Sequence, residues 1–239
     1  MPVQTRQASL PGSHSGIGGQ IDMETEVRNR PSFANIRVQL SAGDSIIAES
    51  DAMASMSSSI EMSTRFNGGP IRAVGKRFFG GESLFVNEFT TRSSGELVLT
   101  QPFPGDIECI ELKGNTLYLQ PGAYIASEPG VTLGIGWAGI SSFVGREGLF
   151  RLKVSGHGRI WFGAYGGIFI REIENEYVVD TGHLVAYEPT IGIRMGMAGG
   201  IFSSFFGGEG LVTRVTGPGR IYMQSRSMGG LAAWTNAHL

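Results

Sequence analysis

At 239 residues with a formal net charge of −2, the chain carries no broad basic face for nucleic acid, and its single cysteine, Cys109, excludes both an intrachain disulfide and a thiolate metal cluster. Hydrophobic residues make up 41% and charged residues 17%, a balance that favours a folded body over a disordered chain. The 37 glycines are about twice ordinary usage yet follow no collagen period, so they mark turns and close backbone approaches.

Residues 1–20 are rich in Ser, Gly and Gln, contain Pro2 and Pro11, and lack any acidic residue. They are expected to form a polar N-terminal tail. The segment has no apolar stretch of the kind a secretory signal needs and too few arginines for a mitochondrial presequence, so the expected location is cytoplasmic, with peripheral membrane association allowed. From 21 to 239 the pattern predicts a single all-β domain.

The domain begins with the strand pair AGDSIIAESDA (42–52), then a polar stretch (57–77), the phrase FFGGESLF (78–85) and the apolar run GELVL (95–99). After DIECIELKG, where alternation places Cys109 as a small buried hydrophobe, the same order returns. It runs through GNTLYLQPGAYIAS (114–127), VTLGIGWAG (131–139), FVGREGLF (143–150) and GHGRIWF (156–162). It returns again as DTGHLVAYE (180–188), TIGIRMGMAGG (190–200), FFGGEGLV (205–212) and GPGRIYM (217–223). A recurrence of roughly 60 to 65 residues is the signature of a repeat architecture. Three tandem β-sandwich-like units are therefore expected, at about 33–104, 105–170 and 171–231, with a pseudo-threefold relation. Units this small are marginal alone and should share a core.

Period-two alternation dominates, as in Phe150, Leu152 and Val154 against Arg151 and Lys153. No long window holds helical spacing, so helices should be short or absent. The SGHGR and TGPGR segments predict hairpin reversals, their glycines supplying positive φ. Leu133, Ile135 and Trp137 share one strand face, while Gly134 and Gly136 leave the other bare for a second backbone.

Together, AGDSIIAES, NGGPIRAVGKRFFGGESLFVNEFT, PGDI, DTGHLVAYE and FFGGEGLVTRVTGPGRIYMQSR resemble the altered-inheritance-of-mitochondria family of mitochondrial biogenesis proteins and its bacterial homologues, formerly classed as a domain of unknown function. The resemblance implies an all-β fold of duplicated β-sandwich units, similar in kind to the tryptophan-attenuation-protein-like fold and assembled as a homo-oligomer. It implies no enzyme activity and supplies no catalytic residues. Mitochondrial members look like organisers associated with the inner membrane.

The residues themselves point the same way. GIGWAG (134–139) satisfies the GxGxxG spacing of a dinucleotide site, but strand-like sequence resumes where the helix of a βαβ unit is required. His14, His157, His183 and His238 have no metal-ligand spacing, and no nucleophile elbow or phosphate loop occurs. Glu82, Glu147 and Glu209 recur in the three phrases. A carboxylate repeated this way can bind a cation, but a Glu between glycines is better read as accepting backbone N–H bonds in a tight turn. Arg159 and Arg220 could pair with such carboxylates, whereas Glu96 reverses the charge in the first unit. Ile140, Phe143, Ile201, Phe202, Phe205 and Phe206 occupy equivalent loops and form a candidate docking or interface patch.

The apolar run at 191–208 contains Arg194 and many glycines, which argues against a membrane-spanning helix. No catalytic, cofactor-binding or metal site is therefore assigned, and no cofactor or nucleic-acid partner is expected. The expected function is a non-enzymatic scaffold or interaction protein that self-associates and meets a membrane-associated protein or lipid surface. The alternative is a small-ligand or oligonucleotide binding module.

Overall fold

A computed structural model describes residues 23–65, 86–137, 150–197 and 211–238. Its strands are β1 (Glu24–Arg28), β2 (Asn35–Leu40), β3 (Ser45–Glu49), β4 (Met53–Met56), β5 (Ile60–Arg65), β6 (Val86–Thr91), β7 (Gly95–Leu99), β8 (Ile107–Leu119), β9 (Tyr124–Ser127) and β10 (Val131–Trp137). They continue as β11 (Phe150–Gly163), β12 (Ile168–Ile173), β13 (Glu176–Asp180), β14 (Leu184–Tyr187), β15 (Gly192–Met197), β16 (Leu211–Thr216) and β17 (Gly219–Gln224). One helix, α1 (Met228–His238), closes the described chain. Ser227 caps it, its Oγ accepting the Gly230 N–H at 3.1 Å. The protein is all-β, and its strand pairs are antiparallel.

Alternation writes the strands directly. In β2 the side chains of Ile36, Val38 and Leu40 are buried while Asn35, Arg37 and Gln39 are half-exposed, and the partner β7 buries Leu97 and Leu99 on the same face. Each such burial stabilises the fold by about 1.5–3 kcal/mol.

The strands form a four-stranded sheet in the order β1-β2-β7-β4, a three-stranded sheet in the order β13-β16-β15, and a ten-stranded sheet in the order β12-β17-β14-β8-β11-β9-β3-β6-β5 with β10 added on β11. The buried apolar residues form three clusters. The first centres on Phe89, Leu97 and Trp161, the second on Phe162, Tyr124 and Leu152, and the third on Val179, Val215 and Ile221. The neighbours Trp161 and Phe162 point into different clusters, which ties two of the three cores to one strand.

The two expected hairpins are not reversals. Strand β11 runs unbroken through Ser155-Gly156-His157-Gly158, where its register against β8 shifts between Ser155 and His157. Gly156 and Gly158 hold φ of 113° and 127° there, forming a bulge that bends one long strand from β10 on one side of the corner to β9 on the other. The second glycine segment joins β16, which lies between β13 and β15, to β17, which lies between β12 and β14. Glycines with positive φ permit a corner as readily as a hairpin, and here distant partners select the corner.

Strand β10 shows the expected alternation, with Val131 and Leu133 buried and Thr132 exposed. Among the described residues, the nearest atom to a Cβ added at Gly134 is the Lys153 carbonyl oxygen at 4.0 Å. Gly134–Trp137 of the GIGWAG segment is strand, and Ala138 and Gly139, which complete it, lie outside the described residues.

Candidate functional site

Glu82, Glu147 and Glu209, and the patch of Ile140, Phe143, Ile201, Phe202, Phe205 and Phe206, lie outside the described residues. Described polar residues instead gather at two corners, where β11 bends and where β16 gives way to β17. At the β11 corner the Glu128 carboxylate accepts the Arg159 backbone N–H and its Nε–H, both at 2.7 Å. The same guanidinium donates to the Met23 carbonyl at 2.7 Å and to Thr25 Oγ1 at 3.0 Å, so it anchors β1. Gly158 makes room for this, since a Cβ there would meet Glu128 Oε2 at 2.9 Å.

At the β17 corner Glu188 accepts the Arg220 backbone N–H at 2.9 Å, while the Arg220 Nε donates to Glu172 at 2.9 Å. Hydrogen bonds that this guanidinium donates to the Tyr222 oxygen and to Glu172 hold it above its ordinary pKa. In the corresponding place before β7, Ser57 Oγ accepts the Glu96 N–H at 2.9 Å, and the Glu96 carboxylate turns to Arg37 and Gln39. The charge reversal expected at Glu96 is therefore accommodated by a hydroxyl in the carboxylate's role. Glu128 and Glu188 escape a reading by sequence proximity because their partners lie 31 and 32 residues downstream. The signal that could have found them is the recurring Glu-Pro pair, Glu128-Pro129 and Glu188-Pro189.

A second polar knot sits where three chain segments meet. Gly105 bridges Phe33 and Gly166 in parallel, and the buried Asp106 accepts two bonds from Arg30, at 2.7 and 3.0 Å. The hydrogen bond to Asp106, opposed by partial burial, holds Arg30 above its ordinary pKa. The His183 Nδ1 lies 2.7 Å from the Gln224 carbonyl, and Gln224 donates in turn to Gly182 O at 2.8 Å. Among the described residues no group of three His, Cys, Asp or Glu side chains is placed to hold a metal ion. A shallow cavity of about 250 Å³ at the β12–β13 turn is lined by residues including Glu172, Glu174 and Tyr177, but Arg171 is spent over the Tyr177 ring at 4.2 Å.

Cys109 is half-buried in β8. Burial pushes its thiol up to about 11, with the nearby Arg159 guanidinium opposing the shift. The thiolate is the reactive species, so alkylation by iodoacetamide near neutral pH should run about a hundredfold slower than for a small-molecule thiol. Timed mass spectrometry of the native protein checks this.

Arg151 is the unusual charge. It is buried, its guanidinium lies 4.7 Å from the Tyr187 ring centroid, and its Nε has no hydrogen-bond partner among the described residues. Burial lowers its pKa, with Tyr187 opposing the shift. A buried donor left open can accept an anionic group.

The fold and its polar corners define an all-β protein of antiparallel sheets in which the prominent charged side chains secure strand ends. Residues 25–226 match the family model described as mitochondrial biogenesis AIM24, and the chain belongs to that family. It is 25% identical over 205 residues to an uncharacterised protein of Streptococcus pyogenes serotype M6, covering 82% of this chain and 83% of that one. It is also similar to a crystal structure of a Streptococcus pyogenes protein, with a TM-score of 0.73 and 24% identity, covering 91% of this chain and all of the other. That likeness supports the fold. Among the described residues no helix is long and apolar enough to cross a membrane, and the start of the apolar run at 191–208 is strand β15.

Proposed function

We propose that the protein is a non-enzymatic scaffold of three pseudo-equivalent β units, similar in kind to the tryptophan-attenuation-protein-like fold, which self-associates and docks to a membrane-associated partner or lipid surface. The carrying observation is that, among the described residues, polar side chains at matching places tie strand corners. Matching pairings support the three units: β2–β7, β8–β11 and β12–β17 pair alike, as do β4–β7, β9–β11 and β14–β17. With β12 kept whole, the third unit opens near residue 166. Exposed Phe33, and Phe169 and Ile170 on the outer strand β12, supply apolar contact for docking. Flotation with liposomes containing cardiolipin, together with pull-down from detergent-solubilised membranes, tests the docking. Recovery in either is the expected result, and failure of both at high protein concentration sinks it.

A second reading, a small-ligand binding module, is favoured by Arg151. It takes an anionic ligand at the Arg151 Nε–H, which has no partner among the described residues. A panel of inorganic phosphate, pyrophosphate and carboxylates should raise the melting temperature of the native chain, and Arg151→Met should abolish that response. The substitution should also raise the unfolding free energy by about 1–3 kcal/mol, since replacing buried charge by packed apolar atoms is often stabilising. A native chain indifferent to the whole panel removes this reading.

A further inference from the structure

Two strands that join neighbouring units do so in one register. In the first joint β3 meets β9, with Ile47 opposite Ser127 and Ala48 opposite Ala126. In the second β8 meets β14, with Tyr118 opposite Tyr187 and Leu119 opposite Ala186. The equivalence of these positions is fixed independently by the pairings inside each unit, because Met56, Ser127 and Tyr187 lie opposite Leu97, Ile160 and Ile221. On the other side of the joint, Ile47, Tyr118 and Val178 lie opposite Glu88, Lys153 and Arg214.

That equivalence leaves one donor strand and one acceptor strand over. Strand β13 is the counterpart of β3 and β8 but ends its sheet, and β4 is the counterpart of β9 and β14 but ends another. Their apolar side chains reflect this. Ser127 and Tyr187 are 0% and 6% exposed in the two formed joints, whereas their counterpart Met56 is 37% exposed. Ile47 is 8% exposed, whereas its counterpart Val178 is 47% exposed. Both edges occur in one chain, and neither has a partner strand among the described residues.

We propose that β13 of one copy pairs antiparallel with β4 of a second copy, placing Val178 opposite Met56 and Val179 opposite Ser55, and so repeats between molecules the joint used twice within one. The inference rests on the three-unit reading. An unpaired strand edge is a template for another chain, and pairing two different edges makes a heterologous, head-to-tail contact that builds rings or filaments.

The mass of the full-length protein by light scattering and sedimentation tests this. The native chain should assemble, and Val178→Lys or Met56→Lys should each reduce it to the single-chain mass. Both positions are exposed, so both variants should keep the native circular dichroism spectrum. Mixing the two variants in equal amounts should restore one intact joint per pair and yield a two-chain species that grows no further. In the Met56→Cys/Val178→Cys double variant, oxidation should give a ladder of linked chains. A native chain that assembles but whose two lysine variants keep its full mass would overturn the edge joint while leaving self-association standing. A native chain of single-chain mass, or an internal link without a ladder, would overturn the joint and leave the docking reading to its own flotation test.

Discussion

Replacing Trp161 by alanine should lower the unfolding free energy by about 3–5 kcal/mol, the range for removing a fully buried aromatic ring. Trp161 is 1% exposed and sits on β11 between Cys109 of β8 and Ala126 of β9. Its ring belongs to the cluster formed mainly by Ile36, Val38, Phe89, Leu97 and Leu99, residues that precede it by sixty positions or more. The ring therefore plugs the second stretch of chain into the core of the first, and the Arg159 guanidinium lies 5.5 Å from its centroid. For a domain whose whole stability is about 5–15 kcal/mol, such a loss is severe. Urea denaturation followed by tyrosine fluorescence and circular dichroism measures it as a fall in midpoint. Phe169→Ala, at an exposed ring on β12, is the matched control and should change stability by less than about 0.5 kcal/mol. Equal effects for both would mean that Trp161 does not carry the junction.

The cost is concentrated at Trp161 because the core is linked through joints that are long-range in sequence. This also explains what could be read from the residues and what could not. The alternation of Leu152 and Val154 against Lys153 announces a strand with one buried face, and the structure has it. The glycines of SGHGR announce a change of direction, but whether the chain reverses or turns a corner depends on β9 and β10, which local sequence does not contain. Arg159 and Arg220 are visible as cations after glycines, yet the carboxylates that meet them, Glu128 and Glu188, come just after strands some thirty residues earlier. The all-β class is therefore legible from local patterns. The corner knots depend on register, which a one-residue slip would change entirely. Arg151 was visible only as the polar member of an alternating strand, and its burial follows from Tyr187, a residue of a different strand, closing over it.

Gly105→Ala should destabilise the protein by about 3 kcal/mol, at the upper end of the usual cost of overpacking. The reason is steric: a Cβ at Gly105 would overlap the Ala164 carbonyl oxygen and come within 2.8 Å of the Gly166 nitrogen. Both are backbone atoms and cannot rotate away. The backbone here is also committed to bonding. Gly105 O accepts from Ala34 N–H at 2.9 Å, Asp106 N–H donates to Gly166 O at 2.9 Å, and Asp106 O accepts from Ala164 N–H at 3.0 Å. Relieving the overlap must stretch at least one of these and shift Asp106 against Arg30, whose two bonds to it are 2.7 and 3.0 Å long. Thermal melting should show the loss. Gly229→Ala provides the contrast, because its added Cβ meets nothing within 4 Å and lies in the first turn of α1. Removing glycine from a helix gains up to about 1 kcal/mol. If Gly105→Ala melts with the native protein, the three segments meeting at Gly105 can separate without cost, and they would then fold as loosely tethered parts rather than through a shared crossing.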